Sequence, residues 1–219
     1  MLFLRKLRKC LKEFLMLINY VWEVEIPPIQ LILEVIMVII IEGLDRTGKT
    51  TLANELSKRF NIPIYKKDRQ ENINRTMRDD ELVNLGDSIA TIKLFNSELF
   101  KGRHVILDRF HWSEYVFNMV DRGGHLGLEY LYEVNEEICK NKSHYIIIHM
   151  HPTNLLRSAL EDEEDRGIER FAEYYKYFCI AQYNTESLHN VIAIYNSCYS
   201  GIDKTCDMIG DLIKMEEKV

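Results

Sequence analysis

The sequence has few residues that break or cross-link a chain: its 219 residues include four prolines, ten glycines and five cysteines. No two cysteines are spaced as a C-x-x-C pair, which argues against a disulfide framework or a zinc knuckle and indicates a reducing compartment, the cytoplasm. An apolar content of 47% excludes an intrinsically disordered chain. The net charge of -6 argues against nucleic acid as a partner, because broad binding to its backbone needs positive charge.

The first 36 residues lack an uncharged run long enough to cross a membrane. Their longest such run, from Phe14 to Trp22, has nine residues, whereas a spanning helix needs about 20. No small-residue cleavage site follows it, so a secretory signal is not expected. Three interpretations stay open: an upstream extension with no folded role, an amphipathic helix on a membrane surface, and a targeting peptide. The folded domain is predicted to span residues 37–219.

Apolar runs and helical periodicity alternate through this domain. The apolar runs predict buried strands at residues 38–41, 62–65, 104–107, 145–149 and 191–195. Helices are predicted at about residues 50–60, 80–100, 112–121, 127–140, 153–160, 168–188 and 203–216. The alternation predicts an α/β fold made of right-handed βαβ units: a three-layer sandwich whose five-stranded parallel sheet carries helices on both faces.

A complete G-x-x-x-x-G-K-T string, residues 43–50, follows the first strand and precedes a helix. In such a P-loop the glycines let successive backbone N–H groups surround phosphate oxygens, and the helix N-terminus attracts the same anion. Lys49 is expected to reach the β- and γ-phosphates, and the Thr50 hydroxyl to bind Mg²⁺. The residues predicted to bind ATP are Gly43, Asp45, Thr47, Gly48, Lys49, Thr50 and Thr51. The string predicts a P-loop NTPase, and the lack of an N-K-x-D guanine-reading string argues against a regulatory GTPase.

A second candidate group follows the third predicted strand. Asp108 ends that strand and Arg109 comes next. Ligands of open α/β sheets bind at the carboxyl ends of the strands, beside the P-loop. Asp108 is therefore expected to hold Mg²⁺ directly or through water, and Arg109 to pair with a phosphate group.

At these residues the sequence resembles the thymidylate kinase family. The string E-G-L-D-R-T-G-K-T-T, residues 42–51, is similar to the form of that family with an arginine inside the P-loop. The string D-R-F-H-W-S, residues 108–113, is similar to its D-R-[YF]-x-x-S motif. The resemblance covers residues 37–215 in architecture and is most specific in the P-loop.

The resemblance implies a nucleoside monophosphate kinase that uses ATP and Mg²⁺, phosphorylates a deoxynucleotide, dTMP above all, and forms a homodimer. Asp45 would contact the 3′-hydroxyl of the acceptor deoxyribose. Arg46 would bridge the donor and acceptor phosphates as a catalytic residue. Arg109 would hold the acceptor monophosphate, with Ser113 in the same site. Because the transferred phosphoryl group is metaphosphate-like, such a site needs positioning and positive charge more than covalent help.

A lid is expected around residues 157–170, between the fourth strand and the long helix. It carries a D-R-x-E-like string that is similar to the lid of the same family. Arg166 and Arg170 are four residues apart, so both can face the phosphates from one side of a helix. Arg166 is predicted to be catalytic and Arg170 to bind ATP.

The remaining candidates each have two interpretations. Lys66 and Arg69 either bind an acceptor phosphate or belong to a solvated basic turn. Phe95 and Trp112 either stack on the acceptor base or belong to the core. Asn196 either borders the donor adenine or is a turn residue.

Two departures from the family pattern bear on the acceptor. Glu114 stands where the family has a small residue beside the base, so it either clashes with thymine or reads a different base edge. Asp68 is the carboxylate near the end of the second strand that a deoxynucleoside kinase would need as a general base for a neutral 5′-hydroxyl. The alternatives to a monophosphate kinase are therefore a deoxynucleoside kinase and a non-catalytic nucleotide-binding protein.

Overall fold

The computed structural model describes residues 36–45, 47–66, 77–95, 97, 103–141, 143–151, 168–197 and 201–216. The predictions for residues 1–35 and for a helix at residues 153–160 lie outside these ranges. The packed domain already includes Ile36, which is buried and whose carbonyl accepts the N–H of His144 at 3.0 Å. None of the helices in these ranges is long and apolar enough to cross a membrane.

The five predicted strands form one parallel sheet. They are β1 (Met37–Gly43), β2 (Ile64–Tyr65), β3 (Val105–Asp108), β4 (His144–His151) and β5 (Val191–Ser197). Their order across the sheet is β2-β3-β1-β4-β5, so β1 lies at the centre between β3 and β4. The register pairs Ile41 of β1 with Asp108 of β3, and Gly43 with Met150 of β4. The P-loop and the residues after β3 therefore meet at one edge of the sheet.

Among the described residues, five helices lie between the strands and a sixth follows β5. They are α1 (Lys49–Phe60), α2 (Met77–Phe95), α3 (His111–Asp121), α4 (Gly127–Lys140), α5 (Ile168–Thr185) and α6 (Ile202–Glu216). Helices α1 and α6 pack together on one side of the sheet, while α2, α3, α4 and α5 contact one another on the other side. The result is the three-layer α/β arrangement that the alternation predicts.

Strand β1 supplies side chains to both layers in strict alternation. Val38 and Ile40 belong to the core shared with α3 and α5, whereas Ile39 and Ile41 belong to the core shared with α1 and α6. All four are fully buried, as expected for a central strand of a parallel sheet. The same alternation directs Glu42, the next residue, towards the α3 side.

The second strand is shorter than its apolar run predicts. The run covers residues 62–65, but only Ile64 and Tyr65 pair with β3 as a strand. Pro63 has no N–H to donate, and its carbonyl accepts the N–H of Ile106 at 3.0 Å. Pro63 thus contacts the sheet through its carbonyl oxygen.

Candidate functional site

The phosphate-binding loop begins at a position where only glycine fits. Gly43 has φ +135°, and a Cβ built on it would lie 2.5 Å from the carbonyl oxygen of Met150 in β4. That contact is with backbone of the neighbouring strand, which cannot rotate away. Gly48, at the N-cap of α1, has φ 83° and turns the chain into the helix. The two glycines of the motif thus shape both ends of the loop.

Gly43→Ala is expected to lower the free energy of unfolding by about 2 kcal/mol or more, because it adds backbone strain and a clash at once. The matched control is Gly86→Ala in α2, where a Cβ meets nothing within 4 Å. That change should stabilise the protein by about 0.5–1 kcal/mol, since alanine favours a helix. Urea denaturation measures both. Equal stability of Gly43→Ala and the wild-type chain would contradict the conclusion that only glycine fits at position 43.

Lys49 lies across the inside of the loop. Its Nζ donates to the Leu44 carbonyl and lies 3.4 Å from Thr47 Oγ1, and the Thr47 hydroxyl donates to the same carbonyl at 2.8 Å. Burial lowers the pKa of Lys49 to about 8, while the charges of Glu42 and Asp108 act in the opposite direction. An anionic phosphate beside Nζ would favour its charged form. The loop therefore holds a buried cation in position for an anion.

Two side chains contact the carboxylate of Asp108 at the end of β3. The Thr50 hydroxyl donates to Asp108 Oδ2 at 3.1 Å, and Lys66 Nζ lies 3.3 Å from the same oxygen. A hydroxyl and a carboxylate are the hard oxygen ligands that Mg²⁺ prefers, and the Lys66 ammonium group pairs with the same carboxylate. The residues predicted to hold Mg²⁺ are thus brought together, and Lys66 joins them.

Arg109 connects this end of β3 to the phosphate loop. Its backbone has φ 73°, which is uncommon for a residue with a Cβ. The NH2 group donates to Asp45 Oδ1 of the loop, and the guanidinium carbon lies 5.0 Å from the centroid of the Phe117 ring. Asp45 and Arg109, 64 residues apart in sequence, therefore face one another at the same edge of the sheet.

Glu42 is the residue that the sequence reasoning missed. Its side chain is fully buried, and its two carboxylate oxygens accept the backbone N–H groups of Phe110, Trp112 and Ser113 and the Ser113 hydroxyl. Burial raises the pKa of Glu42, against the lowering effect of these hydrogen bonds and of the Arg109 charge. The available signal was a charged residue at the end of the otherwise apolar M-V-I-I-I-E-G strand.

Phe95 and Trp112 belong to the core and not to a base-stacking surface. Both are 0% exposed. The ring of Phe95 packs edge-on against Tyr65 at 5.9 Å, and the Trp112 indole N–H donates to Thr185 Oγ1 at 3.0 Å. A ring covered on both faces cannot stack on a nucleotide base, so the stacking interpretation of both residues is wrong for this structure.

Arg170 pairs with a carboxylate of α3 in this structure, and its contact with ATP stays a prediction. Its NH2 group donates to Asp121 Oδ1 at 2.7 Å, and the hydroxyl of Tyr174 donates to the same oxygen. Asp121 is the last residue of α3. That end lies about 15 Å along the helix from its N-terminus, at 1.5 Å per residue. The ion pair thus joins the start of α5 to the end of α3 that points away from Arg109.

Several other predicted residues have a partial outcome. The Ser113 hydroxyl is turned towards Glu42, and Thr51 is exposed on α1. The backbone of Asn196 pairs with Met150 in the sheet. Outside the described residues lie Arg46, Arg69, Arg166, Asp68, the side chain of Asn196 and most of the lid at residues 157–170.

Comparison with known proteins places this arrangement among nucleotide kinases. The sequence model of the family described as thymidylate kinase matches residues 41–197. No curated protein sequence matches the chain. The solved structure of the YorR protein from Bacillus subtilis, in complex with phosphorylated GDP, is 19% identical, with a TM-score of 0.59 over 83% of this chain and 98% of that chain.

Deoxyadenosine kinase from M. mycoides with bound dATP is 18% identical, with a TM-score of 0.50 over 81% of this chain and 100% of that chain. At these identities the two structures support the fold. The family match spans both the P-loop and the segment after β3, since both lie within residues 41–197.

Proposed function

Because the chain belongs to the thymidylate kinase family, we propose that it transfers the γ-phosphoryl group of ATP to dTMP and so forms dTDP. The family match indicates a nucleoside monophosphate kinase. The proposal adds the identity of the acceptor and a role for each residue of the site.

The observation that carries the proposal is the pairing of Arg109 with Asp45. It brings the residue expected at the acceptor phosphate to the loop expected at the donor phosphates. Lys66 adds a second cation on the same side, 3.3 Å from Asp108. An acceptor that is already an anion suits such a site, because its phosphate replaces carboxylates as the partner of these cations.

Each described residue has a distinct task in this proposal. Lys49 and the loop N–H groups bind the β- and γ-phosphates of ATP, and Arg109 holds the acceptor monophosphate in line with them. Thr50 and Asp108 would hold Mg²⁺, which neutralises charge that develops on the phosphate oxygens when it is bound. No general base is needed, since the attacking oxygen of a monophosphate is already charged.

A deoxynucleoside kinase is the second candidate, and the end of β2 is the place that separates the two. That enzyme would need a carboxylate there to remove a proton from a 5′-hydroxyl group. Within residues 64–66, the described part of this strand and its end, the charged residue is Lys66, a cation. The described part of this site therefore favours a phosphate acceptor over a hydroxyl acceptor.

The acceptor base depends on the first turn of α3. Glu114 Oε1 accepts a hydrogen bond from Arg122 NH1 at 2.5 Å, so the carboxylate is held along its own helix. An ion-paired carboxylate costs less to leave beside thymine than a free one, since its charge is compensated. The pairing thus reduces the electrostatic objection to thymine that Glu114 raises.

We expect the full chain with Mg-ATP to release ADP with dTMP as acceptor, and kcat/KM for dTMP to exceed that for thymidine by at least about 100-fold, because a site built to pair with a phosphate penalises its absence. The acceptor panel consists of dTMP, dUMP, the other deoxynucleoside monophosphates, thymidine and deoxycytidine. Coupled detection of ADP measures turnover with each of them.

The panel separates the proposal from its alternatives. Turnover with a different monophosphate only would keep the kinase mechanism and change the base assignment. Turnover with nucleosides while monophosphates stay inert would overturn the proposal and direct attention to Asp68. Binding of ATP without turnover of any acceptor would favour the non-catalytic alternative.

A further inference from the structure

We propose that Glu42 is the positioning residue for Arg109: its carboxylate fixes the start of α3 and thereby directs the Arg109 guanidinium at the acceptor phosphate. The inference rests on the proposed function, because it assigns Arg109 to an acceptor monophosphate. It adds a residue of β1 to the acceptor side of the site, although β1 leads into the loop that binds the donor.

The alternation of β1 explains why Glu42 can reach this position. Val38 and Ile40 point to the layer that contains α3, and Glu42 follows them at the same period of two. It is also the last residue before Gly43, so its side chain lies at the carboxyl edge of the sheet, where α3 begins.

The carboxylate satisfies donors that the helix cannot satisfy by itself. Oε1 accepts the N–H of Phe110 at 2.9 Å and that of Trp112 at 3.1 Å, and Oε2 accepts the N–H of Ser113 at 3.2 Å together with its hydroxyl. The N-cap residue, Phe110, supplies no side-chain hydrogen bond. Glu42 therefore replaces a local cap from 68 to 71 residues away.

The same contacts hold Arg109 in its uncommon backbone conformation. The N–H of Arg109 donates to the Ile41 carbonyl at 3.0 Å, and the N–H of the next residue, Phe110, donates to Glu42 Oε1. Two consecutive residues of β1 thus hold two consecutive amides around a residue with φ 73°. A left-handed conformation at a residue with a Cβ persists only where its surroundings fix it. Without the carboxylate, one of the two attachments is lost.

Charge gives the carboxylate an advantage over a neutral acceptor. A negative group at a helix N-terminus interacts favourably with the helix dipole, and its hydrogen bonds are stronger than those of an amide. It also compensates the buried Lys49 and the nearby Arg109, both of which interact electrostatically with Glu42. Lys49 also has the charge of Asp108 beside it, so loss of the Glu42 charge bears mainly on Arg109 and the acceptor side.

The test is the Glu42→Gln variant of the full chain, assayed with ATP and the monophosphate that turns over best. Glutamine keeps the size of the side chain. Its NH₂ group, however, cannot accept the hydrogen bonds that one of the Glu42 oxygens accepts from the start of α3. We expect the acceptor KM to rise about 10-fold or more, the effect of losing a charge-assisted hydrogen bond. The ATP KM should stay within about 2-fold, because the P-loop keeps its own contacts.

A matched control removes a buried side-chain contact at the other end of the same helix. Asn118 Oδ1 accepts the N–H of Leu126 at 2.8 Å, so Asn118→Ala weakens the anchoring of α3 without touching Arg109. It should lower stability and leave the ratio of the two KM values unchanged. If Glu42 positions Arg109, the acceptor KM should rise relative to the ATP KM in Glu42→Gln but not in Asn118→Ala. Equal rises of both KM values in Glu42→Gln, or no rise, would overturn the inference.

A double variant tests the route through Arg109. If Glu42 acts through that residue, Glu42→Gln combined with Arg109→Ala should be no worse for the acceptor than Arg109→Ala alone. If the two substitutions instead multiplied their effects on the acceptor KM, the inference would be overturned. A wild-type chain that turns over no monophosphate would remove the proposed function and this inference together, while failure of Glu42→Gln alone would leave the proposed function intact.

Ser113→Ala is the second variant if Glu42→Gln does not fold. It removes one donor from Glu42 and keeps every backbone contact, so the acceptor KM should rise about 3-fold, as expected for a partial loss of this network. Combined with Arg109→Ala, it should add nothing further. An unchanged acceptor KM, or an effect that multiplies with that of Arg109→Ala, would overturn the role given to Glu42.

Discussion

Replacing Lys49 with alanine is expected to lower kcat for phosphoryl transfer roughly 100- to 1,000-fold, the usual cost of removing one group that stabilises transition-state charge. The ammonium group is buried inside the loop and donates to the Leu44 carbonyl. A cation from solvent is therefore not expected to replace it in the alanine variant. The ATP KM should rise as well, because the same group contacts the ground-state phosphates. Steady-state kinetics with the best acceptor measures both parameters.

The control for this variant is Lys58→Ala. Lys58 is an exposed residue in the last turn of the same helix, α1, far from the loop. It removes the same charge and the same number of atoms, and its kinetic parameters should match those of the wild type. Comparable losses in the two variants would mean that net charge, and not the position of Lys49, sustains turnover.

Arg109→Ala is expected to raise the acceptor KM roughly 30-fold, equivalent to about 2 kcal/mol for a lost hydrogen-bonded charge pair. The guanidinium is held between Asp45 and the Phe117 ring, so its place is defined before an acceptor binds. Alanine keeps a Cβ and therefore the same backbone requirement at φ 73°. The loss then reports on the side chain, and the ATP KM should change by less than about 3-fold.

Arg103→Ala is the control for Arg109→Ala, at the opposite end of β3. Arg103 is exposed and precedes β3, whereas Arg109 follows it. Removing it takes the same charge from the opposite end of the strand. An Arg109→Ala variant with wild-type acceptor KM would exclude Arg109 from the acceptor site and leave Lys66 as the described cation nearest to that role.

Much of the architecture follows from local patterns in the sequence. The strands β1, β3, β4 and β5 coincide with their apolar runs to within two residues at either end, because strands of a parallel sheet covered by helices are largely apolar. The P-loop and the Asp108-Arg109 segment are local as well, since each is a contiguous string whose chemistry is carried by its own residues. The homodimer implied by the resemblance stays a prediction.

The errors concern contacts between distant parts of the chain. Sequence reasoning could place Phe95 and Trp112 near the site, but whether an aromatic ring faces a ligand or the core depends on what packs over it. The pairing of Arg170 with Asp121, 49 residues earlier in the chain, was likewise not foreseen. Glu42 received no role because the amides that it binds lie on another element. Spacing along the chain contains no direct record of such pairs.

The alternation of β1 has a consequence for how this chain can vary over evolution. Exchanges among Ile, Val and Leu at its apolar positions alter volume and cost little, so the strand tolerates substitution. Insertion or deletion of one residue is different, because a slip by one position turns every side chain to the opposite face. Glu42 would then leave α3, and Gly43 would no longer meet the Met150 carbonyl. Related chains are therefore expected to differ in the letters of this strand while keeping its length and its distance to the P-loop.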